Sequence, residues 1–494
     1  DEQAQMSTSK AEAVAQSTAE TALAVPDAAD FARPEERIEH IHELLEAYPR
    51  LQTPAAGAET VLRHKLAHAF WRARLLERVS EILPELPGSS RAELVEAMAA
   101  LKTHIPTALL DRLRASVEPR YLTGLLASQG IRSADGRGPA AGPQLDLKIS
   151  ANRSSSWSFE KWSRIEEFGR YDFDGDGVRY RGVLLRPGDV LLSNCNLDGN
   201  GIYTTLGDPK AYTSHSALFA ILEVGGRRFP AAIETFEKGV RPVPLNVFLS
   251  PRFAAYTEVY RHVGLTTEHT DRVNEAALTM IREVKGYNFD TCDSSRDYVS
   301  CTGVPRFALE DAGLDPGTTK SFINDPGIRR NLIELEYDFF DFSSPIDFVL
   351  SEEYRCVGWV DNNQVDKLVA RELVEVRFRQ LFSQREIDFR RMPLAYRINR
   401  WGIGHMRRRS LPGRIISAAE GFDHETLPKG PDALLALIKP AEQQIGGAIK
   451  KVHPVVQDHL SSLTRFDLQQ VRDHEPIRHA IDSHLRVPWL VQPG

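Results

Sequence analysis

Three residues able to share one chemistry stand in separate short motifs of this 494-residue chain. Cys301 lies in DYVSCTGVPRFALEDAGL, after the apolar pair Tyr298 and Val299 and just ahead of a stretch that reads as a helix start. A thiol there sees the positive end of a helix macrodipole, which favours the nucleophilic thiolate. A free cysteine is also commonly a small buried hydrophobe, so both readings stand. A thiolate nucleophile needs a base, and the base needs an orienting polar group. His215 opens the run HSALFAIL, and Glu234 sits in PAAIETF among Ala232, Ile233 and Phe236. A carboxylate in such apolar company needs a partner. The Gly-rich EVGGRR between the two runs predicts an antiparallel hairpin that can put His215 and Glu234 on one face. A strand-end histidine satisfied in the core and a solvated strand glutamate remain open alternatives from the residues alone.

These side chains need a scaffold. Residues 1–30, rich in Ala, Ser, Thr and Gln, read as a disordered or weakly helical tail. Residues 31–132 carry a helical period, with Leu62, Leu66, Phe70, Ala73, Leu76, Val79 and Leu83 on one stripe, and Ser90 followed by Glu93 as a helix start. Residues 133–164 read as a linker, Gly- and Pro-rich in SADGRGPAAGPQ, with a lead-in helix. In residues 165–362, VRYRGVLLRPGDVLLSN, HSALFAILEV and RRFPAAIETFE have the punctuation of strands. FAAYTEVYRHVG and DRVNEAALTMIREVKG read as helices, the second ending at Gly286. Strands in a row and then helices predict an α+β domain. Residues 363–494 read as mostly helical, broken at Pro393, Pro412, Pro440 and Pro454.

Composition sets outer bounds. The chain is 42% hydrophobic and 26% charged, with no apolar run of about 18 residues that would cross a membrane as a helix. Net charge is −7, which gives no general case for nucleic acid binding. Four cysteines (Cys195, Cys292, Cys301, Cys356) are too few for a disulfide scaffold, and no CxxC pair points to zinc. The first residues lack the basic and apolar regions of a signal peptide, and the start at Asp1 fits a chain whose leader has been removed.

In order, the chain shows PGDVLLSN, SHSALFAILE, AAIETFEKGVRPVPLNVFL, GYNFD, YVSCTGV and SSPIDFVLSEEYRCVG. That succession resembles the YiiX/YebB-like cysteine hydrolases, the circularly permuted branch of the NlpC-type papain-like fold. It spans about residues 180–360, little more than a third of the chain. The resemblance implies a permuted papain-like catalytic domain of α+β class, flanked by helical N- and C-terminal regions. It implies Cys301 as nucleophile, His215 as general base and Glu234 as third polar residue. Tyr287 would be an oxyanion donor beside the main-chain N–H of Cys301. Permutation accounts for the histidine preceding the cysteine. The chain departs from the family where Cys-Ser-Glu often stands: here Cys301 is followed by Thr302 and Gly303, and Pro305 is tolerable only within a first helical turn.

The implied activity is cleavage of an amide through an acyl-enzyme, foremost in a cell-wall peptide or related amide. It needs no cofactor and belongs in a bacterial periplasm or outside the cell, with a cytoplasmic site still open. A lipid amidase or acyl-ester hydrolase at a membrane surface is the first alternative. A catalytically inactive binding module is the second, and retention of all three residues argues against it.

Weaker signals remain. Asp172, Asp174, Asp176 and Gly177 fit the first half of a calcium loop, but position 12 is Val183; NLDGNG has similar spacing. Tight turns are the simpler reading of both. His474, His479 and His484 are five apart and do not share a helix face. Residues 377–414 hold eleven arginines against Glu386 and Asp388, interleaved with Leu381, Phe382, Phe389, Leu394, Tyr396, Ile398 and Trp401. Such a segment docks on an anionic membrane or phosphate-rich polymer, or forms a helical layer whose arginines pair with acidic residues of the catalytic domain. The paired layer is the reading the sequence slightly favours.

Overall fold

A computed structural model describes residues 171–180, 183–195, 213–224, 227–236, 239–250, 253–289, 295–318, 321–337, 341–362, 364–420, 427, 430–463 and 468–492. The expected tail, N-terminal helical domain and linker, and the NLDGNG segment, lie outside these residues. The chain divides into two compact units. One comprises residues 1–154, 179–183 and 456–474; the other comprises 155–178, 184–455 and 475–494. In the first, the described residues include the stacked rings of His459 and His474, centroids 3.7 Å apart.

The strands appear where Gly and Pro punctuate apolar runs. They begin with Asp172–Asp174 (β1), Gly177–Tyr180 (β2), Val183–Leu185 (β3), Val190–Cys195 (β4) and His215–Val224 (β5). Arg227–Phe236 (β6), Gly239–Pro244 (β7) and Ala254–His262 (β8) follow. After the pairs Gly286–Tyr287 (β9), Tyr298–Val299 (β10), Ser321–Phe322 (β11) and Asp341–Phe342 (β12), Tyr354–Asp361 (β13) completes the main sheet. That sheet has six strands in the order β13-β8-β4-β5-β6-β7, every neighbouring pair antiparallel.

Helices Leu245–Phe248 (α1), Thr267–Glu283 (α2) and Gly303–Asp311 (α3) are interspersed with the strands. Val273, Ala276, Ala277 and Met280 of α2 and Val304, Phe307 and Ala308 of α3 share one apolar core with Leu218, Ala220 and Leu222 of β5 and Ile233 of β6. Mixed helix and sheet of this kind is the α+β class.

FAAYTEVYRHVG is a correction: it forms strand β8, not a helix. Eight of the nine residues of β8 are buried: β4 pairs along one edge and β13 along the other, and Tyr260 joins the core shared with α2 and α3. Burial on both faces erases the two-residue alternation that marks a strand, leaving an apolar run that periodicity cannot tell from a buried helix. The motif PGDV has a structural use beside it. Gly188 takes φ +99°, a conformation that glycine adopts without strain. Asp189 accepts the Arg186 N–H at 2.7 Å, and Arg261 of β8 grips the same carboxylate through Nε at 2.7 Å and Nη2 at 2.8 Å.

Further along run Pro326–Glu334 (α4), Ile346–Leu350 (α5), Val365–Gln384 (α6), Leu394–Arg407 (α7), Leu411–Glu420 (α8) and Asp432–Ser462 (α9). Two expected breaks are corrected: Pro440 and Pro454 both lie inside α9. Each removes one helical hydrogen bond, a cost of about 3 kcal/mol. Burial of Leu434, Leu437, Ala441, Ile445, Ala448 and Val452 along one stripe offsets it. Pro393 and Pro412 do punctuate the chain, as N-cap of α7 and second residue of α8.

Candidate active site

The hairpin of β5 and β6 sets the first two side chains. Its register pairs Leu218 with Ile233, which continues to Ala217 opposite Glu234 and leaves His215 two residues along the same face. His215 Nε2 meets Glu234 Oε2 at 2.7 Å, both side chains buried. Phe248 and Phe253 stand beside the imidazole at centroid distances of 6.2 and 6.4 Å, giving it an apolar wall.

Cys301 arrives from the other side of the chain. β10 pairs in parallel with β9, Val299 opposite Tyr287, and ends two residues before the cysteine. Thr235 of β6 donates to the Ser300 carbonyl at 3.1 Å, tying this loop to the glutamate-bearing strand. Ser300 Oγ accepts the Gly303 N–H at 3.2 Å and so caps the start of α3. Pro305 is the third residue of that helix, inside the first turn where its missing N–H costs nothing. Cys301 therefore sits immediately ahead of a helix N-terminus, as a free and buried thiol.

The Cys301 thiol lies against the His215 imidazole and Ser216. The Ser216 hydroxyl is buried with no hydrogen-bond partner among the described residues. Since Nε2 of His215 is taken by Glu234, Nδ1 is the nitrogen left for the thiol. Burial opposes ionisation of Cys301, but the hydrogen bond and charge of His215, with the Ser216 groups, outweigh it and hold the thiol below its ordinary range. Burial likewise disfavours a charged His215; hydrogen bonds to Cys301 and Glu234 and their negative charges overcome this and lift it to about 9. Each shift favours the charged form of its group.

A fourth residue, which the sequence reading passed over, completes the row. Arg241 stands directly opposite Glu234 in the β6–β7 register. Its Nε and Nη2 reach Glu234 Oε1 at 2.8 and 2.6 Å, and its guanidinium lies 4.1 Å from the centroid of the Phe236 ring. Against the cost of burial, the Arg241 charge and the His215 hydrogen bond bring the Glu234 carboxyl down to about 2. The glutamate is ionised and fixed from both ends. A signal for Arg241 was present: Phe236 and Gly239 close a tight hairpin, Gly239 at φ +110°, and counting back from it sets residue 241 across from 234.

The other expected positions are placed as follows. The Tyr287 ring packs on Phe289, centroids 4.5 Å apart, on the strand next to the one that delivers Cys301. Asp172 and Asp174 belong to β1, and the chain turns at Gly175, φ +61°, before β2. The Asp176 carboxylate accepts from Thr270 Oγ1 at 3.2 Å. Among the described residues no group of three or more His, Cys, Asp or Glu side chains is arranged to hold a metal ion.

No protein-family model matches the chain, and no curated protein does. Among solved structures, the metalloprotein YiiX of Escherichia coli O157:H7, DUF1105, aligns with 35% of this chain and 96% of its own at 15% identity and a TM-score of 0.28.

Proposed function

We propose that this protein is a cysteine hydrolase that cleaves an amide through an acyl-enzyme, on a permuted papain-like domain. The observation that carries the reading is the buried row in which Cys301 lies against His215, and His215, Glu234 and Arg241 are hydrogen-bonded in turn. A row of acid, imidazole and thiol is what nucleophilic catalysis requires. Cys301 Sγ adds to the substrate carbonyl carbon, and the carbonyl electrons move to oxygen. The main-chain N–H of Cys301 stabilises that oxyanion, with Tyr287 as second donor. His215 passes its Nδ1 proton to the leaving amine as the C–N bond breaks, leaving a thioester. Water then attacks the thioester while His215 takes its proton, and the carboxylic acid departs as the thiolate re-forms. Glu234 holds the imidazole in orientation and stabilises its cation throughout.

The substrate is a cell-wall peptide or related amide, a reading that rests on the motif order around the three residues. A second reading, a lipid amidase or acyl-ester hydrolase at a membrane surface, is favoured by the exposed apolar and arginine-bearing helices α7 and α8. One experiment tests the chemistry before the substrate is known. Iodoacetamide labels Cys301 of the parent at a rate that stays high across neutral pH. In His215→Ala the labelling rate rises only toward about pH 8.5, the range of an ordinary thiol. Identical profiles would separate the two residues and remove the mechanism. With muropeptides and lipid extracts as substrates, read by mass spectrometry, Cys301→Ala yields no product above background.

A further inference from the structure

Nine of the eleven arginines of residues 377–414 divide into two groups. Arg377 pairs with Asp482, Arg390 and Arg391 with Asp388, Arg400 with Glu336, and Arg407 with Asp432. Arg397, Arg408, Arg409 and Arg414 have no carboxylate partner among the described residues, and all four are exposed. They lie on α7, α8 and the turn between them. From Phe389 to Ala419 the chain has eight arginines and neither an acidic residue nor a lysine.

The same two helices turn large apolar side chains to solvent. Leu394, Ile398 and Trp401 follow the spacing of one face of α7, and Leu411 and Ile415 repeat it on α8. Each is between 53 and 73% exposed. They are not a fold left half-packed, because the two helices meet through other residues. Gly413 abuts the main chain at His405 and Met406, where any Cβ would collide with the His405 carbonyl oxygen. Gly402 and Met406 are buried. Ser410 orders the turn, its hydroxyl donating to the His405 carbonyl at 3.0 Å and accepting the Gly413 N–H at 3.2 Å. A glycine contact brings the helices close, and the bulky side chains are held outward.

We infer that the α7–α8 hairpin is a docking surface for an anionic lipid bilayer, lying in the interface with its apolar side chains among the acyl chains and Arg397, Arg408, Arg409 and Arg414 on the headgroups. Charge complementarity selects this occupant. A second copy of the same face would set arginine against arginine. Nucleic acid would satisfy the arginines and leave five large apolar side chains without a partner. An anionic bilayer accepts both, and a Trp among Leu, Ile and Arg is the composition of an interfacial helix. The inference is independent of the chemistry at Cys301.

The full chain is cosedimented with vesicles of phosphatidylcholine alone and of equal parts phosphatidylcholine and phosphatidylglycerol. It pellets with the second and not the first. Binding weakens as salt shortens the Debye length from about 10 Å at 0.1 M to about 3 Å at 1 M. The triple variant Arg408→Glu/Arg409→Glu/Arg414→Glu loses about a hundredfold or more in affinity, at about fivefold for each arginine near an anionic surface. Ile398→Ser/Trp401→Ser loses about tenfold or more, as buried apolar area requires. Both keep the parent melting temperature, and Cys301→Ala binds as the parent does. The inference is overturned if the parent stays in the supernatant, if it binds both vesicles equally, or if either variant binds undiminished. It is also overturned if both variants melt lower, which assigns these residues to the fold. Finally, it is overturned if the parent self-associates in sedimentation and the variants do not, which assigns the face to a second copy.

Discussion

Arg241 changes how the glutamate at the site is understood. Glu234 is buried and charged, and its Oε1 takes two bonds from Arg241 while Oε2 meets His215. With the arginine removed, a buried carboxylate keeps only the imidazole, and breaking such a pair costs about 3–5 kcal/mol. Arg241→Met is therefore expected to lower stability in urea titration by that order, and to slow hydrolysis while leaving Cys301 in place. The pH dependence has two limbs. The Glu234 carboxyl, at about 2 against an ordinary 4.5, contributes stability that is present above pH 4.5 and lost as pH falls through about 2. The His215 imidazole, at about 9 against an ordinary 6.5, contributes stability that is full below pH 6.5 and lost as pH rises through about 9. In Arg241→Met the acid limb moves to higher pH, since the main opposing charge is gone. Thermal melts of parent and variant across pH 2 to 6 check this, and superimposed acid limbs would deny Arg241 its role.

At the scale of elements, β8 joins the part of the sheet that carries the site to its far edge. It pairs with β4 and β13 and supplies Arg261, whose guanidinium holds Asp189 in the turn that opens β4. β4 in turn pairs with β5, Ser193 opposite His215, so the arginine on one strand steadies the register of the next two. Arg261→Met leaves Asp189 buried with only the Arg186 N–H. The expected loss is about 3–5 kcal/mol in urea unfolding. Alkylation of Cys301 should keep its pH profile wherever the variant remains folded. A variant as stable as the parent would show that the turn is held by its backbone alone.

At the scale of the whole molecule, charge is unevenly spread. The chain carries 61 basic and 68 acidic residues, net −7, yet its α7–α8 stretch has no acidic residue between Phe389 and Ala419. A net negative protein approaches an anionic surface only by turning a basic face to it, so the hairpin would fix which side leads. If docking and hydrolysis serve one task, an amide substrate carried on vesicles containing phosphatidylglycerol turns over faster than the same headgroup amide free in solution. Salt should reduce that advantage. Equal rates at both would assign the soluble peptide as substrate and leave docking as a separate property.

The sequence alone determined the short-range features. The helix start after Cys301, the antiparallel pairing of β5 with β6, and the tolerance of Pro305 all follow from residues a few positions apart, where turn chemistry and capping act. It also marked Cys301, His215 and Glu234 as candidates, through their unusual settings and the order of the motifs. Tertiary structure decided what distance hides. The run around Tyr256 and Tyr260 became a strand because it pairs with β4 and β13 and folding buries both its faces, a condition no local pattern records. Pro440 and Pro454 stay inside one helix because its apolar stripe outweighs two missing hydrogen bonds. Arg241 gained its meaning from the residue across the hairpin. For the arginines of 377–414, the sequence offered pairing or docking as alternatives, and the fold divides nine of the eleven: five find carboxylates, while four are exposed beside apolar side chains held outward by a glycine contact. Ion pairs form between residues brought together by folding, and only the folded chain shows which charges are left over.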